Sequence, residues 1–597
     1  MPNVPPHPSP RPYAGLPLAW AAVVLVLTLT PSDEMPRTPV WELLSFDTAA
    51  HAGVFFVLAG LSWFSLRRQR HWPRLARHAG AAVLVASVLF GALIEELQMT
   101  MRLGRHGEWS DLLSDGLGAA LAVGLATAWA GRLSKKARAV ASIFRAGLLL
   151  AGLGSGPVQA QDVARARRTI EKLAAPEMHG RGYVQQGEHK AAAYLRGRFK
   201  ELKLEPLAPD YTQPFTLDVN TFPGKLQANC LLNGQGGMNC IGLGWQPGAA
   251  LIAAPNSGSG QAHGRIQVLD STVLADTLKW AWWRQQPLHG RVLLMRKGVA
   301  DHLDKLPAAV RQQLDSAAAW VTVVPKLTAS LAAEQAPQPR VEVLASKMPR
   351  WQVPDRYNTP TSITPENGNV EAYIQVDAQL RRNYQTQNLA AVVRGTAQPD
   401  SFLVVSAHYD HLGMMGKDAY FPGANDNASG VALLLELAAH YARPENRPAC
   451  SVVFLLFGAE EAGLVGSSYF VAHPLVPLQR IKFLVNLDLL GTGEQGATVV
   501  NGRVFEAPYQ RLVALNNAHH YLPQLAPRGR AANSDHFPFS EAGVPAFFLC
   551  TRGGSTAYHD VNDRPAALSL AGFAGAFGLV RDFLNEEGAT IGAKKNR

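Results

Sequence analysis

Residues of the types that bind metal ions follow four apolar runs in the last third of the chain. The runs are FLVVSA, SVVFLLF, IKFLVNL and VPAFFLC, and a Gly-rich turn, PGANDNASG, lies between the first two. Histidine and carboxylate ligands without cysteine are typical of a zinc site that keeps open positions for a substrate. The residues concerned are His408, Asp410, His411, Asp426, Glu460, Glu461, Asp488, Tyr558 and His559.

Two adjacent glutamates in GAEEAG constrain the local backbone. Neighbouring side chains of a strand point to opposite faces, so Glu460 and Glu461 can serve one site only where the chain turns. Gly458 and Gly463 flank the pair and permit such a turn. One glutamate can then bind metal while the other acts as a general base.

The elements that must position these residues alternate between strand and helix. Helical stretches such as GVALLLELAAHYA separate the apolar runs, which favours an α/β fold with a mixed, mostly parallel sheet flanked by helices. Ligands of such sheets bind beyond the carboxyl ends of the strands. Residues 215–375 are richer in Gly and Pro and contain short strand-like runs, which predicts an inserted β-rich subdomain.

The first 130 residues have the character of an all-α membrane domain. Four apolar stretches there are each close to the ~20 residues that span a bilayer, and they run from Leu16 to Leu29, Ala49 to Leu66, Ala79 to Leu93 and Leu112 to Ala130. Arginine clusters flank the stretches and predict cytoplasmic loops. Residues 131–161 combine a basic linker with a signal-peptide-like or anchor segment, so we expect the rest of the chain to be exported.

The net charge and the cysteines indicate which partners and which kinds of metal site to expect. The net charge is +10 over 597 residues, but the basic clusters flank apolar stretches, so membrane topology explains them and no nucleic-acid partner is expected. The four cysteines form no CxxC pair, which argues against a thiolate zinc site. Cys230 and Cys240 are close enough in sequence to form a disulfide in an oxidising compartment.

Five motifs, AHYDHLG, GANDNASG, GAEEAGLVGS, NLDLLG and YHDVND, resemble those of the co-catalytic di-zinc exopeptidases, which include bacterial aminopeptidases and glutamate carboxypeptidases. The likeness covers about residues 164 to 585 and implies a zinc exopeptidase domain over residues 162–590, with residues 215–375 similar to a protease-associated insert. It implies two zinc ions, one held by His408 and Asp488 and the other by Glu461 and His559, with Asp426 bridging them.

The same resemblance implies the roles of three further residues. Glu460 is the general base, Asp410 orients His408, and Tyr558 donates a hydrogen bond to the oxyanion. A non-proline cis peptide after Asp426 is also implied, whereas His411 receives no role. The predicted reaction is hydrolysis of an amino-terminal peptide bond by zinc-bound hydroxide, with a peptide as substrate.

Residues 1–130 resemble the VanZ-like membrane family through FDTAAH and EELQMTMRLGRHGEWSDLLSDGLG. Ionisable groups near a membrane face are functional candidates, although interfacial residues that merely end helices explain them equally well. The candidates are Asp47, His51, Glu95, Glu96 and Asp111. Together the two resemblances predict a protein of the bacterial inner membrane whose peptidase unit lies on the periplasmic or extracellular side.

Three other functions remain open. A glutaminyl cyclase-like transferase shares the fold but uses one zinc, a carboxypeptidase uses the same two metals at the other end of a peptide, and a non-catalytic envelope adaptor keeps the fold alone. The complete set of ligands argues against the transferase, and with Glu460 it argues against the adaptor. The catalytic block has no basic cluster that demands a substrate with a free carboxylate, which favours the aminopeptidase over the carboxypeptidase.

Overall fold

The structure is a computed structural model that describes residues 15–29, 46–68, 73–101, 116, 118–124, 126–127, 163–232, 241–348, 370–417 and 419–589. Contacts within the chain divide it into two units, Met1–Gln159 and Ala160–Arg597.

The first unit is helical throughout its described part. Its helices are α1 (Gly15–Leu29), α2 (Phe46–Arg68), α3 (Pro73–Arg77) and α4 (Ala79–Met101). Val24, Phe55 and Ile94, one residue from each of the three longer helices, are buried together in one apolar cluster. None of the helices in these described ranges is both long and apolar enough to cross a membrane.

The candidate residues of the first unit fall largely outside what the structure describes. Asp47 and His51 belong to α2, and Glu95 and Glu96 belong to α4. The structure does not describe the side chains of these four residues. Asp111 and the predicted signal-like segment 131–161 lie wholly outside the described residues.

The second unit contains two large sheets and the helices around them. Its helices are α5 (Val163–Leu173), α6 (Gly187–Glu201), α7 (Ser271–Ala275), α8 (Thr277–Arg284), α9 (Lys297–Ala300), α10 (Ala308–Leu314), α11 (Gly430–Tyr441), α12 (Val465–Ala472), α13 (Glu506–His519), α14 (His536–Glu541) and α15 (Phe573–Ala589). Its strands are β1 (Glu205–Pro206), β2 (Thr212–Thr221), β3 (Leu226–Leu232), β4 (Ile241–Trp245), β5 (Leu251–Ala253), β6 (Gly260–Leu269), β7 (Val292–Arg296), β8 (Ala319–Val324), β9 (Arg340–Leu344), β10 (Val370–Val376), β11 (Gln379–Val393), β12 (Gln398–His408), β13 (Met414–Met415), β14 (Ala419–Tyr420), β15 (Cys450–Phe457), β16 (Ile481–Leu487), β17 (Ala497–Val500), β18 (Leu525–Pro527) and β19 (Ala546–Thr551).

The central sheet has the order β1-β11-β15-β12-β16-β19-β17-β18, with β2 paired to β11. The middle of this sheet is a parallel group of four strands, β15, β12, β16 and β19. At its two edges, β11 pairs antiparallel with β15, and β17 pairs antiparallel with β19. All eight residues of β15 are buried, as expected for a strand covered on both faces. The predicted mixed, mostly parallel sheet flanked by helices is therefore confirmed.

Helices cover both faces of the central sheet. One face packs on α5, α6, α11, α13 and α15, and the apolar cluster there includes Ile170, Leu195 and Phe583. The other face carries a smaller cluster that includes Phe470 of α12 and Phe539 of α14. These two layers leave the carboxyl ends of the parallel strands as the edge where a site can form.

The predicted insert contains the second sheet, with the order β4-β3-β10-β6-β7-β8-β9-β5. Strands β6 to β9 are parallel, and the short helices α7 to α10 lie in their connections. We call residues 226–376 the insert. The insert was predicted to begin at residue 215, but the strand that contains this residue, β2, pairs with β11 of the central sheet. The alternating burial of β2 would suit either sheet, so the sequence pattern does not show which sheet the strand joins.

Candidate metal centre

The ligand-type residues lie at the carboxyl ends of the parallel strands. His408 is the last residue of β12, Glu460 and Glu461 follow β15, and Asp488 follows β16. His559 is in the loop after β19. Because these strands are parallel neighbours, their ends meet at one edge of the sheet.

Asp426 lies between two histidines. Its Oδ1 is 3.3 Å from Nε2 of His408, and its Oδ2 is 3.2 Å from Nε2 of His559. Oδ1 of Asp488 is 3.5 Å from the same nitrogen of His408, and Oε2 of Glu461 is 3.1 Å from that of His559. The structure thus brings together two clusters joined by one carboxylate, with the pairing that the resemblance implied.

The electrostatics of the clusters suit a cation. Burial alone lowers the pKa of His559, but its contacts with Asp426 and Glu461 raise that pKa to about 11. Burial raises the pKa of Asp426, yet the contacts with His408 and His559 lower it well below its ordinary value. Positive charge therefore stabilises this site strongly.

One buried oxygen gives a direct test of whether the residues fit a metal. Oδ1 of Asp488 is buried and accepts no hydrogen bond among the described residues, its nearest cationic contact being Nε2 of His408 at 3.5 Å, whereas its Oδ2 accepts a hydrogen bond from Ser534 at 2.8 Å. A buried carboxylate oxygen that accepts no hydrogen bond is unfavourable unless a cation satisfies it. Imidazole nitrogens and carboxylate oxygens in this arrangement fit zinc.

The glutamate pair sits on the turn that the sequence predicts. Ala459 has a φ of 57° and Gly463 a φ of 102°, so the chain leaves the extended conformation on both sides of the pair. Glu461 faces His559, whereas ligand atoms of Glu460, His408 and Asp488 lie within 4.8 Å of one another. The two glutamates therefore reach different parts of one site.

The environment of Glu460 raises the pKa of its carboxyl group. Burial raises its pKa well above the ordinary value of a glutamate, and the nearby carboxylates of Asp535, Glu461 and Asp488 raise it further, while His408 acts in the opposite direction. A carboxyl group that holds a proton readily is suited to general acid–base chemistry.

Asp410 anchors the glutamate turn. Its carboxylate accepts hydrogen bonds from the main-chain N–H groups of Glu460 (3.1 Å) and Glu461 (3.3 Å) and from the hydroxyl of Tyr183 (3.3 Å). Its Oδ1 is 3.7 Å from Nδ1 of His408, whereas its own carbonyl oxygen is closer, at 3.3 Å. The sequence indicated the link to His408 but not the anchoring of the turn.

Tyr558 lies at the entrance of the site. Its side chain is 46% exposed and its ring stacks on that of His559, with 4.0 Å between the centroids. Partial burial of the side chain and the neighbouring carboxylates raise the pKa of Tyr558, so the hydroxyl keeps its proton at neutral pH. It is available to donate a hydrogen bond to a bound ligand.

His411, which received no role from the sequence, holds Glu461. Its Nδ1 donates a hydrogen bond to Oε1 of Glu461 at 2.6 Å, and the residue is fully buried. A carboxylate ligand fixed in this way presents its other oxygen in a defined direction. The presence of a second histidine three residues after the end of β12 was the signal for this role.

The loop that carries Asp426 is held by two residues that the sequence did not single out. The carboxylate of the buried Asp563 accepts hydrogen bonds from the N–H groups of Asn425 and Asp426.

Arg181 is fully buried, and all its described hydrogen bonds go to main-chain carbonyl oxygens, namely those of Leu173, Tyr409, Pro422, Gly423 and Asp426. Arg181 lies between two glycines, and Asp563 is the last residue of the YHDVND motif; these two patterns were the signals in the sequence. The Asp426–Asn427 peptide is cis, as the resemblance implied.

A buried carboxyl beneath the site gives a prediction about stability and pH. Burial raises the pKa of Glu188 to about 8, although donors such as Gln387, 3.2 Å away, offset part of this rise. The pKa of an unfolded glutamate is about 4.3. A group whose pKa is raised by folding stabilises the protein below its unfolded pKa, and this contribution is lost as the pH rises through about 8.

Glu188→Gln is therefore expected to make the protein more stable at pH 9, by on the order of 2 kcal/mol, and to change it little at pH 4.5. Thermal unfolding of both proteins across this range measures the difference. Glu201→Gln, at an exposed position of the same helix α6, is the control and should follow the wild type. A parallel fall in melting temperature for wild type and Glu188→Gln would contradict the prediction.

Comparison with known families agrees with this architecture. Residues 388–584 match Peptidase family M28, and residues 14–130 match VanZ/LLP1. Among solved structures, the fold is similar to a Peptidase M28 precursor from Shewanella amazonensis (TM-score 0.54, 16% identity, 72% of this chain and 94% of that chain). It is also similar to a zinc aminopeptidase from Bacillus subtilis (TM-score 0.51, 20% identity, 71% and 94%).

Curated relatives match over part of the chain. Aminopeptidase YwaD of Bacillus subtilis is 33% identical over 168 residues, which is 27% of this chain and 35% of that protein. An aminopeptidase of Pseudomonas aeruginosa is 36% identical over 135 residues (22% and 23%), and a probable zinc metalloprotease of Pyricularia oryzae is 37% identical over 132 residues (21% and 26%). The chain spans about a quarter to a third of the length of these relatives. The chain therefore contains a Peptidase family M28 domain within residues 388–584 and an N-terminal VanZ-like domain within residues 14–130.

Proposed function

We propose that this chain is a di-zinc exopeptidase that removes residues from the amino terminus of peptides. The observation that carries the proposal is the position of Asp426, whose two oxygens lie 3.3 Å from His408 and 3.2 Å from His559. A carboxylate between two sets of N and O donors suits a pair of metal ions. His408 and Asp488 would hold one zinc, Glu461 and His559 the other, and Asp426 both.

The chain's own residues account for the proton transfers of hydrolysis. Zinc in this site would supply Lewis acidity, which makes water acidic and polarises the scissile carbonyl. Glu460 takes the proton from the attacking water and gives it to the leaving amine, so the same carboxyl acts as base and then as acid. Tyr558 donates a hydrogen bond to the carbonyl oxygen as negative charge develops on it.

The hydrogen bonds of Arg181 support action at the amino terminus. Arg181 is the cation beneath Asp426, but its donors already bond main-chain carbonyl oxygens, so it is not placed to receive a substrate carboxylate. The names of the curated relatives from Bacillus and Pseudomonas point the same way.

The location of the protein is a second part of the proposal. The apolar stretches of the first 130 residues, their arginine flanks and the signal-like segment 131–161 support attachment to the bacterial inner membrane, with the peptidase unit on the outer side. Membrane fractionation tests the attachment, and protease treatment of spheroplasts tests whether the peptidase unit is on the outer side. Recovery in the cytosolic fraction would contradict both statements.

Zinc content and hydrolysis, measured together on the purified full-length chain, test the activity. We expect two zinc ions per chain, hydrolysis of aminoacyl anilides with a free amino group, loss of turnover with a chelator and recovery with added zinc. N-acetylated versions of the same substrates are the control and should not be cleaved. One zinc with cyclisation of amino-terminal glutamine would establish the transferase, cleavage from the carboxyl end a carboxypeptidase, and metal binding without turnover an adaptor.

A further inference from the structure

His559 is joined to the insert by a pair of reciprocal hydrogen bonds. Its Nδ1 lies 2.8 Å from the carbonyl oxygen of Ala329, and the N–H of Ala329 donates to the carbonyl oxygen of His559 at 3.1 Å. A carbonyl oxygen only accepts, so Nδ1 is the protonated nitrogen and Nε2 is left to face Asp426 and Glu461. The main chain of the insert thus fixes both the tautomer and the ring orientation of a proposed metal ligand.

The segment that makes these bonds is firmly attached to the insert. Ala329 lies between β8 and β9, is 1% exposed and belongs, with Leu327, to the apolar core of the insert. Nearby, Lys326 donates a hydrogen bond to the carbonyl oxygen of Thr556, three residues before His559. We call residues 325–332 the clamp segment. Its position therefore depends on the folded insert.

The core of the insert also includes residues from the loops of the metal centre. Leu412 and Phe421 belong to the segment between His408 and Asp426, and Val561 follows His559 by two residues. These side chains pack with Val321 and Leu327 of the insert. The insert and the loops that carry the ligands therefore share one apolar core, which couples their positions.

The two metal positions differ in how much they depend on the insert. His408 ends β12, whose hydrogen bonds to β15 and β16 hold it within the central sheet. His559 lies in a loop and has a φ of 53°, a conformation that a non-glycine residue keeps only where its surroundings hold it. Ala329 is one of the described residues that hold this conformation, because its N–H donates a hydrogen bond to the carbonyl oxygen of His559. Loss of the clamp segment should affect the position of His559 and spare that of His408.

We propose that the insert is a positioning element for one of the two metal ions. The clamp segment holds His559, so a metal binds between Glu461, His559 and Asp426 with full affinity only when the segment is docked. Coupling between two equilibria is reciprocal, so metal at that position also stabilises the docked segment. The inference rests on the proposed function for the identity of the ligands and not on the reaction that they catalyse.

The test is a titration of the metal-free full-length chain with Co²⁺, followed by its visible absorption. Ala329→Pro removes the N–H that donates to His559, and we expect it to weaken one of the two equivalents about 10- to 100-fold while the other binds as in the wild type. Ala333→Pro is the matched control, because within the described residues no hydrogen bond from its N–H is found, and it should behave as the wild type. Equal weakening of both equivalents, or of neither, would overturn the proposal.

A measurement on the wild-type chain keeps the proposal testable if Ala329→Pro does not fold. Hydrogen exchange of the Ala329 amide, with and without zinc, reports the clamp segment directly. We expect at least tenfold slower exchange with zinc bound, and an unchanged rate would refute the coupling. A chain that binds two metals and shows this protection but cleaves no peptide would refute the proposed function alone.

Discussion

Glu460→Gln is expected to lower kcat about a thousandfold and to leave both zinc ions in place. Glutamine has the shape of glutamate but cannot take a proton from water at neutral pH. The five proposed ligands, His408, Asp426, Glu461, Asp488 and His559, are unchanged by the substitution. The effect should therefore fall on turnover and not on metal content.

Steady-state kinetics on an aminoacyl anilide, with zinc measured on the same preparation, separate these two quantities. Glu445→Gln is the matched control because Glu445 is exposed beyond the carboxyl end of α11, whereas Asp426 precedes the amino end of that helix. Its kcat should equal that of the wild type. Wild-type turnover in a fully metallated Glu460→Gln protein would refute the role of this residue.

Arg181→Met is expected to reduce the stability of the peptidase unit by about 3–5 kcal/mol. The guanidinium is fully buried and bonds five main-chain carbonyl oxygens, drawn from the end of α5, from the residue after β12 and from the loop that ends at Asp426. Burial lowers the pKa of Arg181 to about 10, so it is still charged at neutral pH. The substitution leaves those carbonyl groups buried without donors and removes the positive charge beneath four carboxylates.

Arg181→Lys should recover only part of the loss, since an ammonium group has three donors and cannot reproduce the planar geometry of guanidinium. Chemical denaturation, followed by a signal specific to the peptidase unit, measures both variants. Arg196→Ala removes a surface arginine that pairs with Asp210 and is the control, with an expected change below about 1 kcal/mol. A loss of stability below about 1 kcal/mol for Arg181→Met would contradict the prediction, because it would show that the carbonyl groups find other hydrogen-bond donors.

The sequence predicted the parts of the site that depend on local pattern. Buried strands read as apolar runs, and residues of ligand type directly after them mark the ends of the strands, so His408, Glu461 and Asp488 could be assigned to one edge. The turn around Glu460 followed from strand geometry and two glycines. These inferences need only neighbouring residues in the chain.

The parts that could not be predicted depend on hydrogen bonds to the main chain over long distances in sequence. Arg181 bonds carbonyl oxygens, Asp563 accepts from the N–H groups of Asn425 and Asp426, and Ala329 holds His559 through its own backbone. A main-chain group has the same chemistry at every residue, so no residue type marks such a contact. Only the fold shows which distant segments meet.

The bond network around Asp563 has a consequence for the order of events during synthesis. Proteins emerge from the ribosome with the amino terminus first. His408, Asp426, Glu461, Asp488 and His559 all leave it before Asp563, the residue whose carboxylate holds the loop of Asp426. A nascent or truncated chain that ends short of Asp563 lacks this support, so the bridging carboxylate becomes fixed only after every proposed ligand has been made.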